Sequence, residues 1–394
     1  MKISGVEAFP VHIPRERNQA ERTAGSPTPL QGRTGLYRWS TVFPALYSTD
    51  FETALVRIQL DDGTIGWGEA QAPLAPEVAC TIVDLLLKPA ILGNEFDGSL
   101  ECIESLWERM YSTMRVRGQT GGFMLDAISG VDLALWDLAG QLRGQPVCWL
   151  IPGSCRRAEV SAYVSGLPGA TIDARVGNAL AYQDNGFRTF KLFLDCPRSE
   201  FLATFAALRE NLGDGAGLAA DALWQLSPED AAGFGRVLDE HNAKWLEAPL
   251  PPEDALAHGA LARSIRTPVA IGESYRTRFE LSPFFDARAM GYVQPDLGRC
   301  GLTEGLRIAR MAQERGIPVI PHLSIALGPQ IAAAIHFAAA VPNCPMLEFN
   351  PSVLEIANRF LAEALECRQG LYRVPAGPGL GAAVRYSPSP AMAS

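Results

Sequence analysis

The stretch VQPDLGRCGLTEGLRIARMAQERGIPVIPH, residues 293–322, contains two short apolar runs on either side of a helical segment. A polar residue ends each run: Asp296 the first, and His322, 26 positions later, the second. One strand, a crossover helix and two loops require roughly 25 to 30 residues. The stretch therefore predicts one unit of a parallel β/α barrel, with Asp296 and His322 at the same end of neighbouring strands.

The same spacing extends through the second half of the chain. Residues able to bind a metal or carry a proton recur at steps of 26, 26, 23, 26 and 26: Asp221, Glu247, Glu273, Asp296, His322 and Glu348. Barrel enzymes place reacting groups at such strand ends. Ala/Leu-rich segments separate eight apolar runs: VSAYVS, FRTFKLFL, GLAA, AKWLEA, PVAIG, GYVQP, IPVIP and PMLEF. The pattern predicts an α/β fold with a (β/α)8 TIM-type barrel.

The first part of the chain has a different pattern. The run TALVRIQL, the turn at residues 61–64 and the run IGWGEA predict a β-hairpin within an α+β domain. Residues 123–143 have apolar side chains at three- and four-residue steps and predict an amphipathic helix. We predict a capping domain at residues 1–125 and a barrel at 126–369, with residues 370–394 packing back on the cap.

Composition limits the partners and the compartment. With 394 residues, 47% apolar content and a net charge of −9, the chain has no basic surplus with which to bind nucleic acid. It has no run of 18 apolar residues, which argues against a membrane span, and its first residues do not resemble a signal peptide. Its eight cysteines show no metal-binding or redox spacing. We predict a cytoplasmic protein with reduced thiols.

Three of the strand-end residues are carboxylates on consecutive strands: Asp221, Glu247 and Glu273. At a separation of about 4 Å they would repel one another strongly unless a multivalent cation lay among them. Ligation by oxygen alone favours a hard ion, and Mg²⁺ suits a site that stays open to water and substrate. The alternative is that each acidic residue caps the helix that follows its strand.

The motifs at these positions resemble the enolase superfamily, and within it the mandelate racemase-like acid-sugar dehydratases. The resemblance spans nearly the whole chain: VRIQLDDGTIGWGEA, AISGVDLALWDLAGQLRGQPV, ADALWQLSPEDA, WLEAPLPPED, PVAIGESY, the stretch at 293–322, and PMLEFNP. It implies a modified (β/α)7β barrel under an N-terminal cap, a small carboxylate or acid-sugar substrate, and a homo-oligomer, often a dimer or an octamer.

The resemblance also implies a role for each residue. Asp221, Glu247 and Glu273 would hold Mg²⁺. Asp296 would orient His322, the acid–base residue, and raise its pKa. Glu348 would hydrogen-bond the substrate carboxylate, as a neutral acid if burial raises its pKa. For His322 the alternative is a core histidine with a satisfied partner, and for Glu348 a structural ion pair.

The second strand departs from the family pattern. Many relatives carry Lys-x-Lys or Lys-x-His there, and this chain has Lys191-Leu192-Phe193. Alternation places Lys191 and Phe193 on the same inward face, with Lys191 one layer deeper, where its ammonium would neutralise the carboxylates. Phe193 would then occupy the position of the second base. On the third strand Leu223 stands where relatives often have Asn or His.

Arginines and a long loop are candidates for substrate binding. Arg276, three residues after Glu273, could bind a distal hydroxyl or carboxylate through its planar fork. Residues 15–48 are longer than a connection needs and predict a lid that carries Arg15, Arg17, Arg22, Arg33, Arg38, Tyr37, Trp39 and Tyr47. The alternative is that these arginines are solvated surface residues.

The single acid–base dyad favours one class of reaction. Racemisation normally needs a proton donor on each face of the planar intermediate, whereas β-elimination of water can proceed with one. We therefore predict a Mg²⁺-dependent dehydratase that converts an acid sugar to a 2-keto-3-deoxy acid. The alternatives are a racemase or epimerase with a second base elsewhere, and a barrel that binds metal but has little catalysis.

Overall fold

The computed structural model describes residues 1–14, 28–29, 36–40 and 45–385, and its N-terminal part is a cap of sheet and helix. The elements of the cap are β1 (Ile3–Pro14), β2 (Thr28–Pro29), β3 (Tyr37–Trp39), β4 (Leu46–Ser48), β5 (Asp50–Leu60), β6 (Ile65–Ala70), α1 (Pro76–Ile82), a π-helical turn (Val83–Leu87), α2 (Lys88–Ile91) and α3 (Leu100–Arg115). Strands β1, β5 and β6 form one antiparallel sheet, and β2, β3 and β4 form a second. The predicted hairpin is the β5–β6 pair.

Helix α4 (Gly122–Arg143) joins the cap to the barrel. Its bounds match the predicted helix, but the prediction that it is amphipathic is wrong, since all residues from 124 to 140 are buried and no face of this stretch is exposed to solvent. The cap sheet covers one side of the helix so closely that a Cβ on Gly68 would lie 2.0 Å from the carbonyl oxygen of Gly130. The barrel covers the other side.

The barrel follows, and its elements are α5 (Val147–Leu150), β7 (Glu159–Ser165), α6 (Ile172–Asp184), β8 (Thr189–Phe193), α7 (Arg198–Leu212), β9 (Gly217–Asp221), α8 (Pro228–Glu240), β10 (Trp245–Glu247), α9 (Ala255–Ser264), β11 (Val269–Ile271), α10 (Arg278–Asp286), β12 (Tyr292–Val293), α11 (Leu297–Gln313), α12 (Pro329–Ala340), β13 (Leu347–Phe349), α13 (Pro351–Asn358), β14 (Cys367–Arg368) and β15 (Leu371–Arg373). Strands β7 to β12 pair in parallel in sequence order, and β13 returns to pair with β7. The predicted α/β barrel is confirmed. Within the described ranges, the helices lack the combined length and apolarity that crossing a membrane requires.

The seventh predicted strand, IPVIP, is the exception to the regular pairing. It makes two isolated parallel bridges, Val293 to Val319 and Asp296 to His322, in place of a continuous ladder. Pro318 and Pro321 have no backbone N–H to donate, which explains the interruption. The second bridge still places His322 beside Asp296.

The C-terminal segment closes the end of the barrel opposite the carboxylates. Strand β15 pairs antiparallel with β7 at its first residues, Glu159 to Ser161. Further on, the Leu380 N–H donates to Asp137 Oδ1 on α4 at 2.8 Å, and Gly379 exchanges backbone hydrogen bonds with Gln145 and Val147. These contacts are with the barrel and α4. The packing of the C-terminal segment on the cap and the domain division at residue 125 both stay predictions.

Acid should destabilise the fold through His336 on α12. Burial lowers the pKa of this histidine from 6.5 to about 4, and its Nε2 contacts the Leu380 carbonyl oxygen at 3.1 Å. The unfolded chain therefore takes up the proton first, and stability falls as the pH drops below 6.5. We expect a loss of about 2 kcal/mol by pH 5 from this group.

Urea unfolding at pH 7 and pH 5 would measure this loss. His336→Gln should reduce the difference between the two pH values, whereas His241→Gln, which alters a partly exposed histidine, should leave it unchanged. Equal acid sensitivity of wild type and His336→Gln would contradict the prediction.

Candidate active site

Three carboxylates lie together at the mouth of the barrel. Asp221 is the last residue of β9 and pairs in register with Glu247, the last residue of β10. Glu273 follows β11 by two residues. Burial and then the neighbouring Glu247 raise the pKa of Asp221 well above its usual value. The spacing in the sequence therefore brings these side chains together as predicted.

Indole and amide donors hold two of these carboxylates, and the sequence carries weak signals for them. The Trp245 and Gln294 side chains donate to Glu247 Oε2 at 2.9 and 2.7 Å. Trp224 Nε1 donates to Glu273 Oε1 at 2.6 Å. Trp245 and Gln294 each precede a strand-end acidic residue by two positions, and strand alternation puts such pairs on one face. That rule would have predicted them.

Lys191 lies beneath the carboxylates and is 1% exposed. Its Nζ is 2.5 Å from Glu247 Oε1, 2.9 Å from Glu348 Oε1 and 3.4 Å from Asp221 Oδ2. Burial lowers the pKa of Lys191, but these carboxylates outweigh burial and raise it well above 10.5. One cation thus faces three carboxylates, in the deeper layer where strand alternation predicts it.

The donor set suits a hard divalent ion by its chemistry. Within the described part of the chain, no group of three His, Cys, Asp or Glu side chains is placed to hold a metal ion. The oxygens of Glu247 and Glu273 contact lysine, indole and imidazole groups. However, three side chains whose only ligand atoms are oxygens lie at one mouth. Burial, Glu247 and Glu273 together raise the pKa of Asp221, although Lys191 acts in the opposite direction. Such a set fits Mg²⁺.

The predicted dyad is formed. His322 Nδ1 lies 2.7 Å from Asp296 Oδ2, and His322 Nε2 lies 3.0 Å from Glu273 Oε2. Burial lowers the pKa of His322, but Glu273, Glu348 and the hydrogen bond to Asp296 together raise it well above 6.5. In turn, burial raises the pKa of Glu273, but His322, Lys191 and the hydrogen bond from Trp224 together outweigh burial and lower it to about 2. The histidine therefore joins the dyad to the carboxylate cluster.

Glu348 differs from its predicted state. Burial raises its pKa, as expected, but Lys191 and His322 outweigh burial and leave the pKa below its usual value. The prediction of a neutral acid is therefore wrong. The ionised side chain accepts a hydrogen bond from the Leu323 N–H at 2.8 Å and pairs with Lys191.

On one side of the mouth, positions 193 and 223 carry phenylalanine and leucine, which cannot act as an acid or a base. The Phe193 ring centroid is 5.4 Å from Lys191 Nζ, which places the ring on the inward face as predicted. Leu223 and Trp224 have left-handed backbones, with φ of 55° and 60°. This conformation is uncommon for leucine, and asparagine would tolerate it better.

Arg276 has a different role from the predicted one. Its Nε and Nη2 donate to the two oxygens of Asp126 on α4 at 3.0 and 3.1 Å, and its Nη1 donates to the Ser274 carbonyl at 2.7 Å. The guanidinium fork thus joins the barrel to α4. This bidentate pairing corrects the expectation that the fork binds substrate.

Part of the predicted lid is described, and one of its residues, Tyr47, lies near the carboxylates. Arg15, Arg17, Arg22 and Arg33 lie outside the described residues, and Arg38 and Trp39 are exposed. Burial, then the charges of Glu273 and Asp221, raise the pKa of Tyr47 well above its usual value, so the phenol lies near the cluster. Tyr37 and Ser48 fasten this hairpin to Glu52 by hydrogen bonds of 3.1 and 2.7 Å.

Two family models match this chain. Residues 46–152 match the N-terminal domain of the mandelate racemase and muconate lactonizing enzymes, and residues 175–387 match the enolase C-terminal domain-like model. The chain belongs to the enolase superfamily. Its N-terminal cap and its barrel are therefore those of this superfamily.

Similar proteins within the superfamily carry out several reactions. The chain is 32% identical to D-galactarolactone cycloisomerase of Agrobacterium fabrum, with 83% of this chain and 87% of the relative covered. It is 30% identical to arabinonate dehydratase of Saccharolobus solfataricus, with 85% of this chain and 88% of the relative covered. A solved structure of a racemase from Streptomyces coelicolor with bound magnesium is 25% identical and covers 97% of each chain with a TM-score of 0.81.

Proposed function

We propose that this enzyme removes the α-proton of a sugar acid with His322 and eliminates the oxygen substituent at the β-carbon. The preferred reaction is loss of water to give a 2-keto-3-deoxy acid. The observation that carries the proposal is the asymmetry of the mouth: the Asp296–His322 dyad lies on one side, and Phe193 occupies the strand position opposite it. A sugar-acid substrate agrees with the arabinonate dehydratase similarity.

Asp221, Glu247 and Glu273 would hold Mg²⁺, and the solved structure of the similar racemase contains bound magnesium. When bound, the ion supplies positive charge for the substrate carboxylate and so makes the α-proton more acidic. Lys191 keeps three of the surrounding carboxylates in a compact arrangement, and the Trp224 indole fixes Glu273.

His322 would carry the proton in both halves of the reaction. Asp296 fixes the imidazole through Nδ1, and Nε2, which contacts Glu273 in this structure, would take the proton as the Cα–H bond breaks. The electron pair forms the Cα=Cβ bond as the Cβ–O bond breaks, and the same Nε2–H donates its proton to the departing oxygen. Water leaves, and the resulting enol converts to the 2-keto acid. This sequence needs the α-proton and the leaving oxygen on one face.

The cycloisomerase similarity supports a second candidate. If the departing β-oxygen belongs to a ring of the substrate, the same elimination opens the ring and loses no atoms, so the reaction is an isomerisation. The residues required are the same, and only the shape of the substrate site would select between the two. A lactone or a cyclic sugar acid is the substrate class for this alternative.

Turnover in D2O would test the proposal with arabinonate, D-xylonate, L-rhamnonate and D-galactarolactone in the presence of Mg²⁺. We expect a keto acid that carries one deuterium at C3, and recovered substrate without deuterium at the α-carbon. Deuterium in recovered substrate without keto acid would instead indicate a racemase or epimerase. Absence of turnover across a wider panel of mono- and di-acid sugars would favour a barrel with little catalysis.

A further inference from the structure

Asp296 is completely buried, and more donors than His322 surround its carboxylate. The Gly298 N–H donates to Oδ1 at 2.9 Å, and Gln330 Nε2 donates to the same oxygen at 3.0 Å. Gln330 lies on the first turn of α12, in a different β/α unit. The orientation of Asp296 therefore depends on a residue 34 positions away in the sequence.

The cap supplies a second amide. Gln71 directly follows β6, is 2% exposed, and donates its backbone N–H to the Gly298 carbonyl at 2.8 Å. The side-chain orientation that satisfies both of its neighbours directs the amide nitrogen to Asp296, 2.6 Å from Oδ2 and 2.9 Å from Oδ1. The amide oxygen then accepts from Ser324 Oγ.

A second cap residue fixes the segment that carries Gln330. Glu69, on β6, accepts hydrogen bonds from the Leu327 N–H at 2.6 Å and the Gln330 N–H at 3.2 Å, and Thr53 donates to it at 2.9 Å. Glu69 and Gln71 are two positions apart, as expected for side chains on one face of an extended chain. The cap therefore holds the beginning of α12 and reaches Asp296 directly.

We infer that Gln71 and Gln330 are positioning residues for the catalytic dyad, and that the cap completes the proton-transfer site. This inference rests on the proposed role of His322. A carboxylate has two equivalent oxygens and a freely rotating terminal bond, so its hydrogen-bond donors decide which oxygen faces the imidazole. Gln71 and Gln330 are neutral, so they orient Asp296 without taking up the proton that His322 must move.

The test uses methionine, which keeps the length of glutamine but removes the amide donor. In Gln71→Met and Gln330→Met we expect kcat to fall about 10- to 100-fold with KM within about twofold, measured on the panel sugar acid that wild type converts fastest. Gln141→Met is the matched control. Gln141 Nε2 also donates to a buried carboxylate, that of Asp137, at 3.0 Å, and to a backbone carbonyl at 2.8 Å. Gln141 lies near the C-terminal end of α4 and does not take part in the dyad. The kcat of Gln141→Met should match that of wild type.

A second readout needs no substrate. In protein labelled with ¹⁵N-histidine and loaded with Mg²⁺, the His322 Nδ1–H signal, assigned by its loss in His322→Gln, should shift or broaden in both glutamine variants and stay unchanged in Gln141→Met. An unchanged signal with kcat reduced less than threefold in both variants would overturn the inference. The inference would also be overturned if Gln71→Met, Gln330→Met and Gln141→Met all showed the same decrease in kcat, increase in KM and decrease in stability.

Failure of the proposed function would look different. If His322→Gln turned over the panel acids like wild type, the proposed role of His322 would fail whatever the glutamine variants did. If His322→Gln were inactive and both glutamine variants were normal in kcat and spectrum, only the positioning role would fail. Should Gln71→Met not fold, Gln330→Met decides the inference, because Gln330 lies on a barrel helix and its side chain donates to Asp296 directly.

Discussion

Lys191→Met is expected to lower the free energy of unfolding by about 3 to 5 kcal/mol at pH 7 in the absence of divalent metal. The ammonium is the cation that lies within 3.4 Å of Asp221, Glu247 and Glu348. Its removal leaves those buried carboxylates to repel one another, because methionine fills the space but supplies no charge. Urea unfolding followed by circular dichroism would measure the change.

The metal and a second lysine provide the controls. Mg²⁺ should recover part of the stability of Lys191→Met, since a bound cation would supply charge to the same carboxylates. Lys244→Met, which alters a partly exposed lysine just before β10, should change the free energy by about 0.5 kcal/mol or less. A Lys191→Met protein as stable as wild type without metal would show that Lys191 does not balance this cluster.

His322→Gln is expected to reduce kcat about 10³-fold on any sugar acid that wild type converts. The glutamine amide can donate a hydrogen bond to Asp296, but it cannot take up a proton at neutral pH. Recovered substrate should contain no deuterium at the α-carbon, as expected for wild type, because no other group is proposed to remove that proton. Keto-acid formation and α-deuterium content in the same samples would measure both.

Two controls make this result specific. His241→Gln should retain wild-type kcat. His241 directly follows α8, at the end of that helix that lies far from the mouth. Folding of His322→Gln should be checked by its urea midpoint. If the variant formed no keto acid but its recovered substrate contained α-deuterium, a second base would exist, and the isomerase alternative would gain support over the dehydratase.

Charge balance at the mouth was the part of the site that the sequence predicted incompletely. The strand-end spacing correctly placed Asp221 beside Glu247 and Asp296 beside His322. It could not predict the ionisation of Glu348, because that depends on Lys191, 157 positions earlier in the chain, whose Nζ lies 2.9 Å away. Burial alone would have raised the pKa of Glu348, and only the three-dimensional contacts show that Lys191, His322 and the hydrogen bonds together outweigh it.

Arg276 and α4 illustrate the same limit. A planar fork near an active-site mouth suggests substrate binding, but its partner Asp126 is 150 positions away and becomes visible only in the fold. The apolar spacing of α4 predicted its length correctly. It suggested a solvent-facing side that does not exist, because polar residues of α4 such as Asp132 and Asp137 are buried and receive backbone N–H donors from the barrel and from the C-terminal segment.

Local properties of the chain were enough to predict the barrel, the family and the strand-end residues, because a repeated strand–helix length and strand alternation depend on neighbours in the sequence. Contacts in three dimensions were needed to show which oxygen, nitrogen and charge each of those residues faces. Asp296 shows the difference: its distance from His322 follows from the barrel spacing, but its orientation depends on Gln71 from the cap and Gln330 from α12. Hydrogen bonds and buried charges act over a few ångströms in space, whatever the separation along the chain.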